Sequence, residues 1–429
     1  MVEVQQESEK KTRCFLVGAP DKKSGNSGLK ELEGLTKALG METAGTAVLT
    51  RIEPTVAYGI GTGKAHEIAG AAKDLCAGCI VFDWEITPSK QRNWEKLAGM
   101  PVLDRSEIII RIFDSRAQTK EASLQVELAK LQYSLPRLSH SYGTMARQRG
   151  GAFGNKGSGE TQLELDRRQA EDKIARIKKE LEQVAVNRQI QRKQRKRTAA
   201  SSCALVGYTN AGKSSLLNAL TGADVLAEDK LFATLDPTTR KFALSEASSV
   251  LMTDTVGFIS NLPHTLIDAF KSTLEETALA DFLLTVVDAS DPDCEMQYQQ
   301  VQNVLKEIHA DSIPQAVVLT KFDKVKDSIL TVSRLNGSFP GAIHASARTA
   351  EGFEAIHSVL TEHLLGCRRN FRIPADKSSL VELARKNGTI EKEEWLEDAI
   401  EITARIPGTF SADGTATTRT LSLLKDFIK

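Results

Sequence analysis

"CALVGYTNAGKSSLLNAL", residues 203–220, decides how the rest of the chain is read. It opens with a short apolar run of β character and closes with an apolar-rich helix former. Between them stand Gly207, Tyr208, Thr209, Asn210, Ala211, Gly212, Lys213 and Ser214. Two glycines, a lysine and a hydroxyl at this spacing, set between strand and helix, make a phosphate cradle. The glycines let successive backbone N–H groups curl around an anion. The Lys213 ammonium can reach β and γ oxygens, and the Ser214 hydroxyl can ligate Mg2+. Ser215 carries the loop into its helix. A doubly wound parallel sheet is the setting for such a loop.

Working downstream, "SVLMTD" is a second buried strand, followed by Thr255, Val256 and Gly257. Asp254 at its end suits a carboxylate associated with Mg2+, and the Gly257 N–H can report a γ-phosphate. Between the two strands, "LFATLDPTTR" is a polar connection suited to a switch. It holds Phe232, Ala233, Thr234, Leu235 and Asp236, and by chemistry Thr234, Thr238 or Thr239 could complete a Mg2+ shell. Base choice falls to "LTKFDK", residues 319–324. Asp323 can accept from the ring N–H and exocyclic amine of guanine, whereas adenine would leave that carboxylate unpaired at a cost of about 1–3 kcal/mol. Lys321 can lie along the base, and Thr320 stands where this motif usually has Asn, its hydroxyl still able to bridge to the phosphate loop. Ser346, Ala347 and Arg348 follow the last strand and suit a backbone contact to guanine O6. These elements, in this order, make the domain a GTPase. Phe258 follows Gly257, where many such enzymes carry a water-orienting glutamine, so slow hydrolysis by the free protein is expected.

Outward from that core, the strand-like runs "CALVG", "KFALS", "SVLMTD", "FLLTVVD", "QAVVLT" and "AIHAS" alternate with helical stretches, and residues 199–368 read as the P-loop GTPase domain. Residues 1–115 read as a smaller α/β domain with a parallel sheet, from "CFLVG" and "CIVFD" alternating with "GLKELEGLTKAL" and "KAHEIAGAAKDL". Residues 116–198 carry two amphipathic stripes: Leu124, Leu128, Leu131 and Leu135, then Ala170, Ile174, Ile177, Leu181 and Val184. Each stripe alone would expose its apolar face, so the two should pair as an antiparallel hairpin. The segment joining them is rich in Gly and Ser, carries Arg137, Arg147, Arg149 and Lys156, and has no acidic residue, a composition able to approach RNA phosphate. Residues 187–201 form a second basic stretch. Residues 369–429 read as a small α+β tail with helix "SLVELARKN", strand "AIEITARI" and helix "LSLLKDFIK".

Composition narrows the partners. Lys plus Arg and Asp plus Glu both number 56, so only local charge can argue for nucleic acid. No apolar run approaches the roughly 20 residues of a membrane span, and "MVEVQQESEKKTR" lacks signal or transit character, so a cytoplasmic protein without membrane insertion is expected. Of the six cysteines only Cys76 and Cys79 have metal-like spacing, and with no second pair Cys79 reads as core. "YGIGTGKAHEI", residues 58–68, tempts as a second phosphate loop. Its first glycine is one residue too close and Ala65 replaces the hydroxyl, so a tight turn and helix start is the reading preferred.

The chain resembles the HflX family of ribosome-associated GTPases over nearly its whole length. "DTVGFISNLPHTLIDAFKSTLEET", "LFATLDPTTR", "VVDASDP", "RQRGGAFGNKGSGETQLELDRR" and "SLQVELAKLQYSLPRL" carry the resemblance. It implies an N-terminal domain with a helical hairpin ahead of the GTPase domain, and it selects Thr234 as the switch threonine beside Lys213 and Gly257. It further implies GTP, GDP and Mg2+ as ligands, binding to the large ribosomal subunit and its RNA, and GTP-dependent splitting or rescue of stalled ribosomes; a monomer is expected. ATP hydrolysis in the N-terminal domain is also implied, and an RNA-remodelling protein driven by it is the alternative function. Thr320 for Asn and Ser158 for Pro depart from the family pattern.

Overall fold

Strand burial, continuous in some sheets and alternating in others, determines what each sheet must pack against. The structure is a computed structural model describing residues 12–18, 29–49, 57–138, 158–197, 201–222, 232, 237–245, 248–260, 277–325, 329–406 and 419–428, with backbone alone for 158–163, 187–197 and 419. The chain divides into two units, 1–190 with 228–236 and 261–272, and 191–227 with 237–260 and 273–429.

In the first unit, β1 (Arg13–Gly18), β2 (Glu42–Val48), β3 (Cys79–Phe82) and β4 (Val102–Asp104) form a parallel sheet in the order β2-β1-β3-β4. Both faces of β1 and β3 are buried, as a parallel sheet covered by helices requires. The helices are α1 (Leu29–Ala38), α2 (Thr62–Asp74), α3 (Pro88–Ala98) and α4 (Arg105–Arg116). Cys79 lies in this core, and burial pushes its thiol up to about 12.

Two further helices, α5 (Lys120–Leu138) and α6 (Ser158–Arg197), make the hairpin. Lys120 pairs with Glu180 at 3.8 Å and Glu127 with Lys173 at 2.5 Å, so one number falls as the other rises and the helices run antiparallel. The leucine stripe of α5 is only partly the buried one. Leu128 is buried with Ala122, Val126 and Ala129, while Leu124, Leu131 and Leu135 are half-buried. The helix is shared between two neighbours, since Lys130 also reaches Asp114 on α4 at 2.6 Å.

The second unit holds β5 (Ser202–Gly207), α7 (Lys213–Thr221), β6 (Thr238–Ala243), β7 (Ser249–Asp254), β8 (Phe282–Asp288), α8 (Cys294–Glu307), β9 (Gln315–Thr320), α9 (Ile329–Ser338), β10 (Ile343–His344) and α10 (Phe353–Leu365). The strand order is β10-β9-β8-β5-β7-β6, antiparallel only between β6 and β7. The chain leaves β5 for β7 on one side and returns to β8 on the other. The crevice at the carboxyl end of β5 is therefore a topological switch point, where open α/β sheets bind ligands.

The tail adds an antiparallel sheet, order β11-β13-β12, from β11 (Arg368–Pro374), β12 (Thr389–Trp395) and β13 (Ala399–Arg405), packed on α11 (Ser379–Asn387) and α12 (Arg419–Leu424). Phe371, Ile373, Ile400, Ile402, Leu421 and Leu424 form its core. The helix expected to the chain end stops at Leu424 and tightens into a 3-10 turn, Lys425–Phe427. Among the described residues no helix is long and apolar enough to cross a membrane.

Candidate functional site

The phosphate loop is shaped by contacts that a side chain at Gly207 would prevent. A Cβ there would sit 2.3 Å from the Val286 carbonyl oxygen in β8. Asn210 and Gly212 take left-handed backbone, φ +61° and +89°, so the chain curls before α7 begins at Lys213. Asn210 is exposed, while Tyr208, Thr209 and Ala211 are buried and Ser215 is half-buried on the first turn of α7. Lys213 is only 6% exposed. Its ammonium donates to the carbonyls of Gly207, 3.2 Å, and Tyr208, 3.0 Å, which hold it over the loop. Burial lowers its pKa from 10.5 to about 8, against the pull of nearby Asp254. A cation so desolvated favours any ligand that brings negative charge.

Ser214, the second residue of α7, donates to Asp254 Oδ2 at 2.5 Å; Asp254 is buried at the end of β7. A hydroxyl and a carboxylate in contact are hard oxygen donors of the kind that would suit Mg2+. Among the described residues no group of three or more His, Cys, Asp or Glu forms a cage for a metal. Thr234, the third expected ligand, lies outside the described residues, as do Ala233, Leu235 and Asp236. Phe232 is described, grouped with the first unit, and its buried ring meets Phe113 edge-on with centroids 4.6 Å apart.

Beyond Asp254, Thr255 is fully buried and donates to the Leu205 carbonyl at 2.7 Å, and Val256 is buried beside it. Gly257 comes so close to the phosphate loop that a Cβ would lie 2.8 Å from Thr209 Cα and 3.0 Å from Lys213 Nζ. Phe258 then pairs with the loop: its carbonyl accepts from Thr209 N–H at 2.7 Å, and its N–H donates to Gly207 at 3.1 Å. Its ring is 2% exposed and belongs to the core. The Ser260 N–H donates to the Tyr208 hydroxyl at 2.7 Å, so Tyr208 clasps this segment as well as lining the loop.

The third part of the site lies at the end of β9. Thr320 is buried, and its hydroxyl faces the carbonyls of Ala211 at 2.6 Å and Val287 at 3.0 Å, bridging to the phosphate loop. Lys321, at φ +53°, donates to the Asn210 carbonyl at 2.8 Å and pairs with Asp288 at 2.8 Å. Asp323 is exposed, and one of its oxygens accepts from the buried Ser346 hydroxyl at 2.7 Å. Ser346 Oγ also accepts from the Arg348 N–H at 3.3 Å, so the turn through Ala347 is fixed relative to Asp323. Sequence reasoning missed Asp288 and the Ser346–Asp323 bond. A carboxylate at the end of "FLLTVVD" was the available signal for the first; the second depends on β9 and β10 pairing side by side.

In the first unit, Lys64 of the N-terminal glycine turn points to solvent and pairs with Glu67 at 2.6 Å, and His66 is exposed with Nδ1 2.8 Å from the Thr62 carbonyl. Arg147, Arg149 and Lys156 of the hairpin connection lie outside the described residues.

Known proteins match most of the chain. Family models described as "GTP-binding GTPase N-terminal", "GTP-binding GTPase Middle Region" and "50S ribosome-binding GTPase" match residues 26–114, 116–195 and 202–321. A protein called GTPase HflX from Akkermansia muciniphila is 42% identical over 394 residues, 89% of this chain and 90% of that one. The GTPase HflX of Escherichia coli K12 is 40% identical over 383 residues, 88% of this chain and 89% of that one. Among solved structures, a GTP-binding protein from Sulfolobus solfataricus in complex with GDP is 24% identical, with 82% of this chain and 98% of that chain covered and a TM-score of 0.44.

Proposed function

The chain belongs to the HflX family of GTPases, and from that premise we propose that it binds the large ribosomal subunit and uses GTP to split or rescue stalled ribosomes. It is a GTP hydrolase with a P-loop GTPase domain. In this reading residues 207–215 hold the phosphates, with Lys213 charging the cradle. Thr320, Lys321, Asp323 and 346–348 hold the guanine, and Phe232 through Asp236 with Asp254 through Gly257 are the switches. Ser214, Asp254 and Thr234 would hold Mg2+, which would neutralise negative charge on the phosphates. The Gly257 N–H reports the γ-phosphate from the position where no Cβ fits.

Phe258 adds nothing to water positioning, since its ring is in the core, so the free protein turns over slowly. A partner that orders the switches supplies the remaining stabilisation, making hydrolysis a timer. The observation that carries the ribosomal reading is the antiparallel hairpin of α5 and α6. It joins its two helices through a segment that is basic and glycine-rich in sequence. The cations of Arg147, Arg149 and Lys156 can displace counterions from ribosomal RNA.

The test is co-sedimentation of the full-length protein with large subunits in a non-hydrolysable GTP analogue, compared with GDP, at several salt concentrations. Arg147→Ala with Arg149→Ala should weaken binding, flatten the salt slope by about 2 in logarithmic units, and lower subunit-stimulated turnover. Binding unchanged across the salt series would make the loop a linker only.

A further inference from the structure

Guanine offers a recognition site three kinds of group in order around its ring: donors at N2 and N1, then the acceptor O6, then the acceptor N7. Asp323 suits the first pair and the backbone after Ser346 suits O6, which leaves N7 toward the end of β9. An acceptor can be read only by a donor. Among the described residues the side-chain donors on that strand end are Thr320 and Lys321. A hydroxyl has one proton. That of Thr320 faces two carbonyl oxygens, at 2.6 and 3.0 Å, in a position 2% exposed. Lys321 is read as lying along the face of the base, away from its edge, and two of its three N–H donors are drawn to the Asn210 carbonyl and the Asp288 carboxylate, both at 2.8 Å. An asparagine in place of Thr320 would carry two amide hydrogens and could serve the loop and the base together.

We propose that N7 goes unread in this protein: Thr320 ties the base-binding strand end to the phosphate loop, and guanine nucleotides that lack the N7 acceptor are accepted as readily as the parent. The inference rests on the reading of Asp323 as the carboxylate that takes the N1–N2 edge. Specificity then comes from that edge and O6 alone, and 7-deazaguanine nucleotides become full ligands.

Displacement of a fluorescent GDP from the full-length chain by GDP, 7-deaza-GDP, IDP and ADP tests both points separately. Replacing N7 by C–H should cost less than about threefold in Kd, where loss of one hydrogen bond costs about fivefold. A larger penalty in the wild-type chain overturns the inference. Thr320→Asn, restoring an amide donor, should open about fivefold discrimination against 7-deaza-GDP. A flat ratio in a Thr320→Asn chain that still binds GDP would move N7 away from this side chain and overturn the assignment. Thr320→Val should weaken GDP and 7-deaza-GDP together; a ratio that shifts would mean the hydroxyl had been reading N7. IDP lacks the 2-amino group, so IDP competing as well as GDP would remove the Asp323 reading and this inference with it. ADP should compete worst.

Discussion

At Gly212-Lys213 and again at Gly63-Lys64, a glycine and a lysine stand at the start of a helix in an α/β domain, and the two places differ in what surrounds the lysine. Lys213 follows a strand in the middle of its sheet, is buried, and is held by two carbonyls of its own loop. Lys64 follows the turn through Gly59, is 44% exposed in its side chain, and pairs with Glu67 one helical turn on. A glycine and a lysine permit a tight helix start. A phosphate site also needs the ammonium stripped of water and aimed, which requires neighbours from β5, β7 and β8. Exposed ion pairs of the Lys64–Glu67 kind contribute about 0–1 kcal/mol to stability, so the second lysine is held only loosely.

The comparison is tested most severely by removing each lysine. Lys213→Ala should lower GDP affinity by about 100-fold or more, with GTP turnover lost alongside, because charge-assisted bonds to phosphate vanish from an already desolvated site. Lys64→Ala should leave both within about twofold. Equilibrium binding and single-turnover hydrolysis on the two variants decide it, and equal losses would make the N-terminal turn a second phosphate site. Next in size is the base. Asp323→Asn should cut the preference for GTP over ATP by about 10- to 100-fold, measured by competition, since the carboxylate that matches two donors is gone. Wild-type protein that binds ATP as well as GTP would end the guanine reading. The smallest effect is in pH. Lys213 has a pKa of about 8 in the free protein, depressed from 10.5 by burial, and a bound phosphate restores its charge. Affinity is therefore greatest below about pH 8 and should fall about fivefold from pH 8 to 9, with proton uptake on binding visible by calorimetry in two buffers. Binding without proton uptake near pH 8.5 would mean the lysine is charged before the ligand arrives.

How much of this was legible depended on how strongly each element is buried. The six strands of the GTPase sheet lie within a few residues of the runs read from sequence, because β5, β8 and the end of β9 are continuous apolar stretches. β2 reads "ETAGTAV" and is an edge strand with no fully buried residue, so its sequence shows neither alternation nor an apolar run. β12, "TIEKEEW", is likewise an edge and mostly charged, a composition that protects an edge from pairing with another chain. β11 alternates arginines with Phe371 and Ile373, a pattern visible only once its partner β13 is known. In the site, the loop lysine, the Ser214–Asp254 pair and the bridge from Thr320 to the loop follow from motif chemistry. The clasp of Tyr208 on Ser260, 52 residues apart, could not be read from sequence, because it depends on how β7 ends beside β5.

The close approach at Gly207 has a consequence for the gene. Every missense change open to a glycine codon installs a Cβ, and the obstruction at 2.3 Å is the carbonyl of Val286, fixed in the middle of a sheet. Codon 207 therefore has no neutral missense neighbours. Nor can a compensating substitution at position 286 rescue such an allele, because a backbone oxygen is common to every amino acid. Second-site revertants of a Gly207 allele will have to arise away from the residue that makes the clash.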